Sequence, residues 1–381
     1  MSRSTSSSSA STTSLDNLDD FPTAFDAATC VRRGLCPVTK LRPQGPQLFE
    51  SHSLYYEQHG RGRHKIVFIM GLNSSSFSWG PQVRHFGASG FRAEREKWAR
   101  WAPPSPIADV PDPDADEAVD GDVDRDGGYT ILVFDNRGVG NSSTPRGPYS
   151  TSGMAEDVVE LLDYVGWTAE RELNVVGISL GGMIAQELAY RIPQRIASLL
   201  LAVTTPGGYP WNNLPPISGM LSLARLAFTP EVDKKVPTVL PMIYPRQWLE
   251  ERAPDDPRGR TNYQVEAEDF IRRASITRKQ SFMGHFSQMA AGLTHHVQPD
   301  RLARISALVP KLTIVTGDED HLVRIENSFR LKAAMPEAEL VQFEKAGHGI
   351  HAQCKREFNR LVERTIKEGR ERLEKGWNPR V

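Results

Sequence analysis

Three residue types, at three distant places in this 381-residue chain, could together carry out nucleophilic acyl chemistry. Ser179 stands in Gly177-Ile178-Ser179-Leu180-Gly181, a G-x-S-x-G pattern. A serine hydroxyl is a poor nucleophile until a base takes its proton. His348, flanked by Gly347 and Gly349, is the expected base. Asp320 is the expected carboxylate, which would fix the imidazole tautomer and stabilise its charged form. The order Ser179, Asp320, His348 is that of nucleophile, acid and base along an alternating strand–helix chain. Rivals lie close by: Asp318 and Glu319 for the acid, His351 and His321 for the base. Asp320 is preferred because it stands three residues beyond Gly317, where the loop should turn back.

The elements around these residues must put them in one place. Leu173 to Ile178 is a short apolar run rich in β-branched residues, which predicts a buried strand. Beyond Ser179, Met183, Ile184, Leu188 and Ala189 follow a helical spacing. A strand that turns directly into a helix forces one residue into a strained backbone and thrusts its side chain out. Glycines two before and two after remove side chains that would collide there. The helix N-terminus then offers free N–H groups to developing negative charge. The N–H of Leu180 is one expected oxyanion donor. Residues 65–70 (KIVFIM) predict another strand, which runs into the small polar loop Gly71-Leu72-Asn73-Ser74-Ser75-Ser76. The N–H of Leu72 is the expected second donor.

Further strands are expected at residues 48–57, 129–134, 196–204, 311–316 and 338–343, with a last helix over 352–375. Asp320 and His348 follow the last two strands, at the same sheet edge as Ser179. Strands alternating with helices predict a mostly parallel central sheet flanked by helices. Residues 206–298 hold helical patches and no clear strand, too long for a plain loop. They predict a helical cap inserted on the side of Ser179, which would exclude water and shape the pocket. The core is then 45–205 plus 299–375, preceded by a disordered or irregular extension over 1–44. Residues 1–20, nearly all Ser, Thr and Asp, cannot bury enough apolar surface to order themselves. Residues 103–128 carry proline, glycine and nine acidic residues and predict an acidic surface insertion. Its Asp122 to Gly127 run resembles the start of a calcium loop, but the twelfth position is Val133.

Composition excludes some partners. The formal net charge is -1, so nothing points to nucleic acid or an anionic membrane surface. No apolar run approaches the length of a transmembrane segment. Three cysteines, Cys30, Cys36 and Cys354, argue against a disulfide framework and fit a reducing, cytoplasmic setting, with organelle import left open. No His-x-x-x-His pair or Cys/His cluster suggests a metal site, and no cofactor is expected.

The motifs together resemble the α/β-hydrolase superfamily, in its large esterase, lactonase and peptidase branch. Gly177 to Met183 resembles that family's nucleophile elbow. Asp135-Asn136-Arg137-Gly138-Val139-Gly140-Asn141-Ser142 is similar to its Asp-x-Arg-Gly-x-Gly-x-Ser turn, read here as structural. The likeness spans about residues 48–373. The chain departs from it in having Met70 before Gly71, where many members have histidine, and in the acidic insertion. The resemblance implies a serine hydrolase acting on a small-molecule ester or lactone. Amide or carbon–carbon cleavage and acyl transfer remain open, and a non-catalytic ligand receptor is a further alternative. Epoxide hydrolases and dehalogenases are disfavoured, since they carry aspartate where this chain has Ser179.

Overall fold

The computed structural model describes residues 22–39, 51–89, 127–209, 213–229, 231–254 and 256–379. The Ser-rich start and most of the acidic insertion, including the calcium-like run up to Asp126, lie outside the described residues.

Among the described residues eight strands form one sheet: β1 (Cys30–Val38), β2 (His52–His59), β3 (His64–Ile69), β4 (Tyr129–Phe134), β5 (Leu173–Ile178), β6 (Ile196–Ala202), β7 (Lys311–Gly317) and β8 (Glu339–Phe343). Their order is β1-β2-β4-β3-β5-β6-β7-β8. β1 and β2 pair antiparallel, as do β2 and β4, and every other pairing is parallel. The mostly parallel sheet is therefore as expected. β5, β6 and β7 are buried along their whole length, because helices cover both faces of the sheet.

β1 corrects one expectation. Its residues fall within 1–44, where a disordered or irregular extension is expected, yet they form an edge strand. Arg32, Arg33, Gly34 and Pro37 hide the apolar run that would announce a strand. An edge position tolerates all of them, since one side of the backbone needs no partner.

The helices are α1 (Gly80–Phe86), α2 (Thr151–Tyr164), α3 (Leu180–Arg191), α4 (Ile217–Ala227), α5 (Val232–Ile243), α6 (Arg246–Glu250), α7 (Asn262–Ser275), α8 (Phe282–Leu293), α9 (Pro299–Leu308), α10 (Glu326–Ala334), α11 (Ile350–Gln353) and α12 (Lys355–Glu374). β3 shows how the period-2 alternation divides the core. Ile66 and Phe68 pack on one face with Trp79, Phe86 and Phe358, from the α1 and α12 side. Val67 and Ile69 face the other way, against Val158, Leu161 and Leu188 of α2 and α3. α12 buries Phe358, Leu361, Val362, Thr365, Ile366 and Gly369, a single stripe at helical spacing.

Between β6 and α9 the described residues form no strand and build α4 to α8. Part of this helical insertion has its own small core: Val236, Leu240, Tyr244 and Leu249, with Trp248, Tyr263 and Phe270 against them. It is seated on the loops at the C-terminal ends of the parallel strands. Gly349 N–H donates to Ile243 O at 2.8 Å, joining the end of α5 to the loop after β8. A Cβ on Gly219 of α4 would meet His321 O at 2.8 Å, beside the loop after β7.

Candidate active site

Ser179 has φ 56° and ψ -122°, immediately after β5 and immediately before α3. That positive φ on a residue with a Cβ is strained, and the surroundings must over-determine it. They do. Ser179 N–H donates to Ala202 O at 2.9 Å, and Thr204 Oγ1 donates to Ser179 O at 2.7 Å. A Cβ on Gly181 would fall 2.0 Å from Ile69 O, and one on Gly177 would fall 2.4 Å from Gly181 O. No other residue fits at either position, which is the physical content of the two outer glycines in the motif.

The loop after β3 passes beside this serine. A Cβ on Gly71 would lie 3.1 Å from Ser179 Cβ and 3.6 Å from its Oγ. Leu72 follows, and its N–H has no backbone acceptor among the described residues. Leu180 is the first residue of α3, where helix geometry leaves the N–H without an intrahelical acceptor.

The turn after β4 supports that loop from below. Asp135 Oδ1 accepts from Ser76 N–H at 2.7 Å and Ser76 Oγ at 2.8 Å, and Oδ2 accepts from Asn141 N–H at 2.7 Å. Asn136 Nδ2 donates to Met70 O at 2.9 Å. Burial pushes the Asp135 carboxyl up to about 6, against the pull of these hydrogen bonds. Gly140, at φ 57°, lies so close that a Cβ there would fall 2.1 Å from Asp135 Oδ2. Arg137 is paired with buried Asp157, which also bonds His52. The turn is thus a scaffold for residues 70–76.

Asp320 and His348 are brought together. His348 Nδ1 lies 2.8 Å from Asp320 Oδ2, with the two side chains 11% and 1% exposed. The other Asp320 oxygen accepts from Leu322 N–H at 2.7 Å and Val323 N–H at 2.9 Å, so the carboxylate is fixed before it meets the ring. The rivals part company on burial and partners. Asp318 and Glu319 are exposed, and Asp318 serves the backbone N–H of Ala346. His321 is exposed. His351 is buried edge-on to Trp79, and burial pushes its imidazole down to about 3. A ring that resists protonation so strongly is a poor general base.

Four residues escaped the sequence reading. Asn73, at φ 55°, is held by three side chains from in and just before α8. Its N–H donates to Gln288 Oε1 at 2.8 Å, its Nδ2 meets His285 Nδ1 at 2.8 Å, and Gln280 Nε2 donates to its Oδ1 at 2.8 Å. One signal was available: Gln288 sits in the apolar run Phe282 to Leu293, and a buried polar group there must have partners.

Cys30, Glu57 and His59 also converge, their ligand atoms within 4.8 Å of one another. These groups are engaged with protein. Thr23 and Tyr55 hydroxyls donate to Glu57, and His59 bonds both Glu57 and Thr29. Burial and the neighbouring Glu57 push the Cys30 thiol up to about 11. The cluster ties the segment ahead of β1 to β2.

Comparison with known proteins agrees with this architecture. A family model described as alpha/beta hydrolase fold matches residues 112–353. The poly(3-hydroxyalkanoate) depolymerase of Ectopseudomonas oleovorans is 29% identical over 231 residues, 59% of this chain and 68% of that protein. The RutD protein of Caulobacter segnis is 24% identical over 311 residues, 80% of this chain and 92% of that protein. Among solved structures, a hydrolase from Pseudomonas aeruginosa PA01 superposes with a TM-score of 0.59 at 21% identity, over 87% of this chain and 98% of that one. At that identity the likeness concerns the fold alone.

Proposed function

Because the chain belongs to the alpha/beta hydrolase fold family, we propose that it is a serine hydrolase cleaving a small carboxylic ester or lactone through an acyl-enzyme on Ser179. The observation that carries this reading is the pairing of His348 with buried Asp320 at the same sheet edge as the strained Ser179 turn. β5, β6, β7 and β8 are adjacent in that order, so the loops after them share one rim.

In this scheme Ser179 Oγ attacks the carbonyl carbon while His348 Nε2 takes its proton. Asp320 accepts the Nδ1 hydrogen bond and stabilises the imidazolium. The N–H groups of Leu72 and Leu180 receive the oxyanion. His348 then returns the proton to the leaving alcohol, and water releases the acid by the same steps in reverse roles. The scheme draws on no cofactor. The ester or lactone class is supported by the names of relatives: a polyester depolymerase and, over a shorter stretch, 3-oxoadipate enol-lactonase 2 of Acinetobacter baylyi, 38% identical over 76 residues. A second reading, carbamate cleavage on the same residues, is favoured by the RutD proteins, which are named for that reaction. Amide or carbon–carbon cleavage or acyl transfer would use the same groups.

The test is turnover by the purified chain of short acyl esters, lactones and an alkyl carbamate, alongside Ser179→Ala. Ester or lactone hydrolysis that vanishes in Ser179→Ala is expected. Turnover of the carbamate alone, or ester turnover that survives the substitution, would contradict the proposal.

A further inference from the structure

We propose that the helical insertion sets the oxyanion site, with Gln288 of α8 as the positioning residue that holds the 71–73 backbone so that the Leu72 N–H faces the substrate carbonyl. This inference rests on the reading of Ser179 as nucleophile and adds a role for residues outside the sheet-borne loops.

Leu72 sits between two fixed neighbours. On one side Gly71 packs closely on Ser179, where a Cβ would lie 3.1 Å from the serine Cβ. On the other, the Asn73 N–H is captured by Gln288 Oε1 at 2.8 Å. Fixing that N–H fixes the plane of the peptide linking Leu72 to Asn73. With Gly71 packed on the serine, little freedom remains to the Leu72 N–H. Asn73 takes up a left-handed backbone, φ 55°, which asparagine adopts more readily than other residues with a Cβ.

Gln288 is suited to this task. It is fully buried in an apolar helix, and its two ends are both used. Its amide Nε2 donates to Arg137 O at 2.8 Å, in the turn after β4. It therefore bridges two core loops from the insertion. Gln280 repeats the bridge nearer the surface, donating to Asn73 Oδ1 at 2.8 Å and Gly138 O at 3.0 Å. The helix is held close to both loops: a Cβ on Gly284 would fall 2.4 Å from Gly138 O, and one on Gly292 would lie 3.8 Å from Leu180 Cδ1. A buried amide whose partners among the described residues are backbone groups of two other segments orients those segments.

The experiment compares the full-length wild type with Gln288→Leu and Gln280→Leu. It reads kcat, KM and the Ki of a trifluoromethyl ketone, whose tetrahedral adduct places an oxygen in the oxyanion site. Loss of one oxyanion donor costs about 100- to 1000-fold, so loosening one should lower kcat about 10- to 100-fold in Gln288→Leu. KM should stay within about threefold, and the ketone Ki should rise in parallel with the fall in kcat/KM. Gln280→Leu, a part-buried site whose folding is less at risk, should show the same pattern at about a third of the logarithmic size. If Gln288→Leu does not fold, Gln280→Leu alone decides. Folded variants with wild-type kcat and ketone Ki, or a loss confined to KM, would overturn the inference. A wild type that neither turns over esters nor binds the ketone would instead sink the reading of Ser179.

Discussion

The two backbone groups proposed to receive the oxyanion are held in place by different means. The Leu180 arm is built from the core. It follows a fully buried strand, is pinned by Ala202 and Thr204, and is wedged between backbone atoms that leave no space for a single Cβ at Gly177 or Gly181. The Leu72 arm is a loop held by polar bonds. Asp135 and Asn136 brace it from the sheet side, and Gln288, His285 and Gln280 hold it from the insertion. The first arm can move only by breaking the close-packed interior. The second can be loosened one hydrogen bond at a time, at about 1 kcal/mol each. One half of the site is thus tied to global stability, while the other can respond to what the helical insertion does.

Substitutions can break or sharpen that contrast. The largest effect is expected for removing the nucleophile or the base: Ser179→Ala and His348→Ala should each lower kcat by about 10^4- to 10^6-fold with little change in melting temperature, measured by ester hydrolysis and calorimetry. Asp320→Asn keeps the shape but favours the wrong tautomer, and should cost about 10^4-fold in kcat. If the rigid arm is as described, Gly181→Ala should lose at least about 3 kcal/mol in denaturant unfolding, because the clash is with backbone and nothing flexible can yield. An unchanged midpoint would remove one side of the comparison.

A smaller effect tests the scaffold beneath the flexible arm. Asp157 is buried, which alone would raise its carboxyl, but Arg137 and His52 outweigh this and hold it below its ordinary 3.8. Its contribution to stability is therefore present above that value and lost as pH falls below it. Asp157→Asn should cost about 3 kcal/mol at pH 7 and flatten the acid limb of the stability curve below about pH 4. A variant with the wild-type acid limb would show that Arg137 gains nothing from this pairing.

How much of this was legible in the sequence follows the same division. β4 and β5 begin and end where their apolar runs do, since apolar and β-branched residues fill most of each strand and turn residues bound it. The Ser179 elbow was legible because strand, turn and helix signals coincide within a few residues. β1 was not, because an edge strand accepts Arg32, Arg33 and Pro37. His348 and His351 stand three residues apart, and only burial against Trp79 and the partner Asp320 separate them. The polar bonds to Asn73 from α8 and from Gln280 just before it join residues more than 200 positions apart, and no local pattern announces such a pairing. Gln288 among apolar neighbours implies that a partner must exist, but not which.

The most direct test of the central claim is to treat the protein with a fluorophosphonate, digest it, and locate the adduct by mass spectrometry, for the wild type and for His348→Ala. One adduct is expected, on Ser179, formed at least about a thousandfold more slowly without His348. An adduct on another residue, or labelling of Ser179 at the same rate in both proteins, would contradict it.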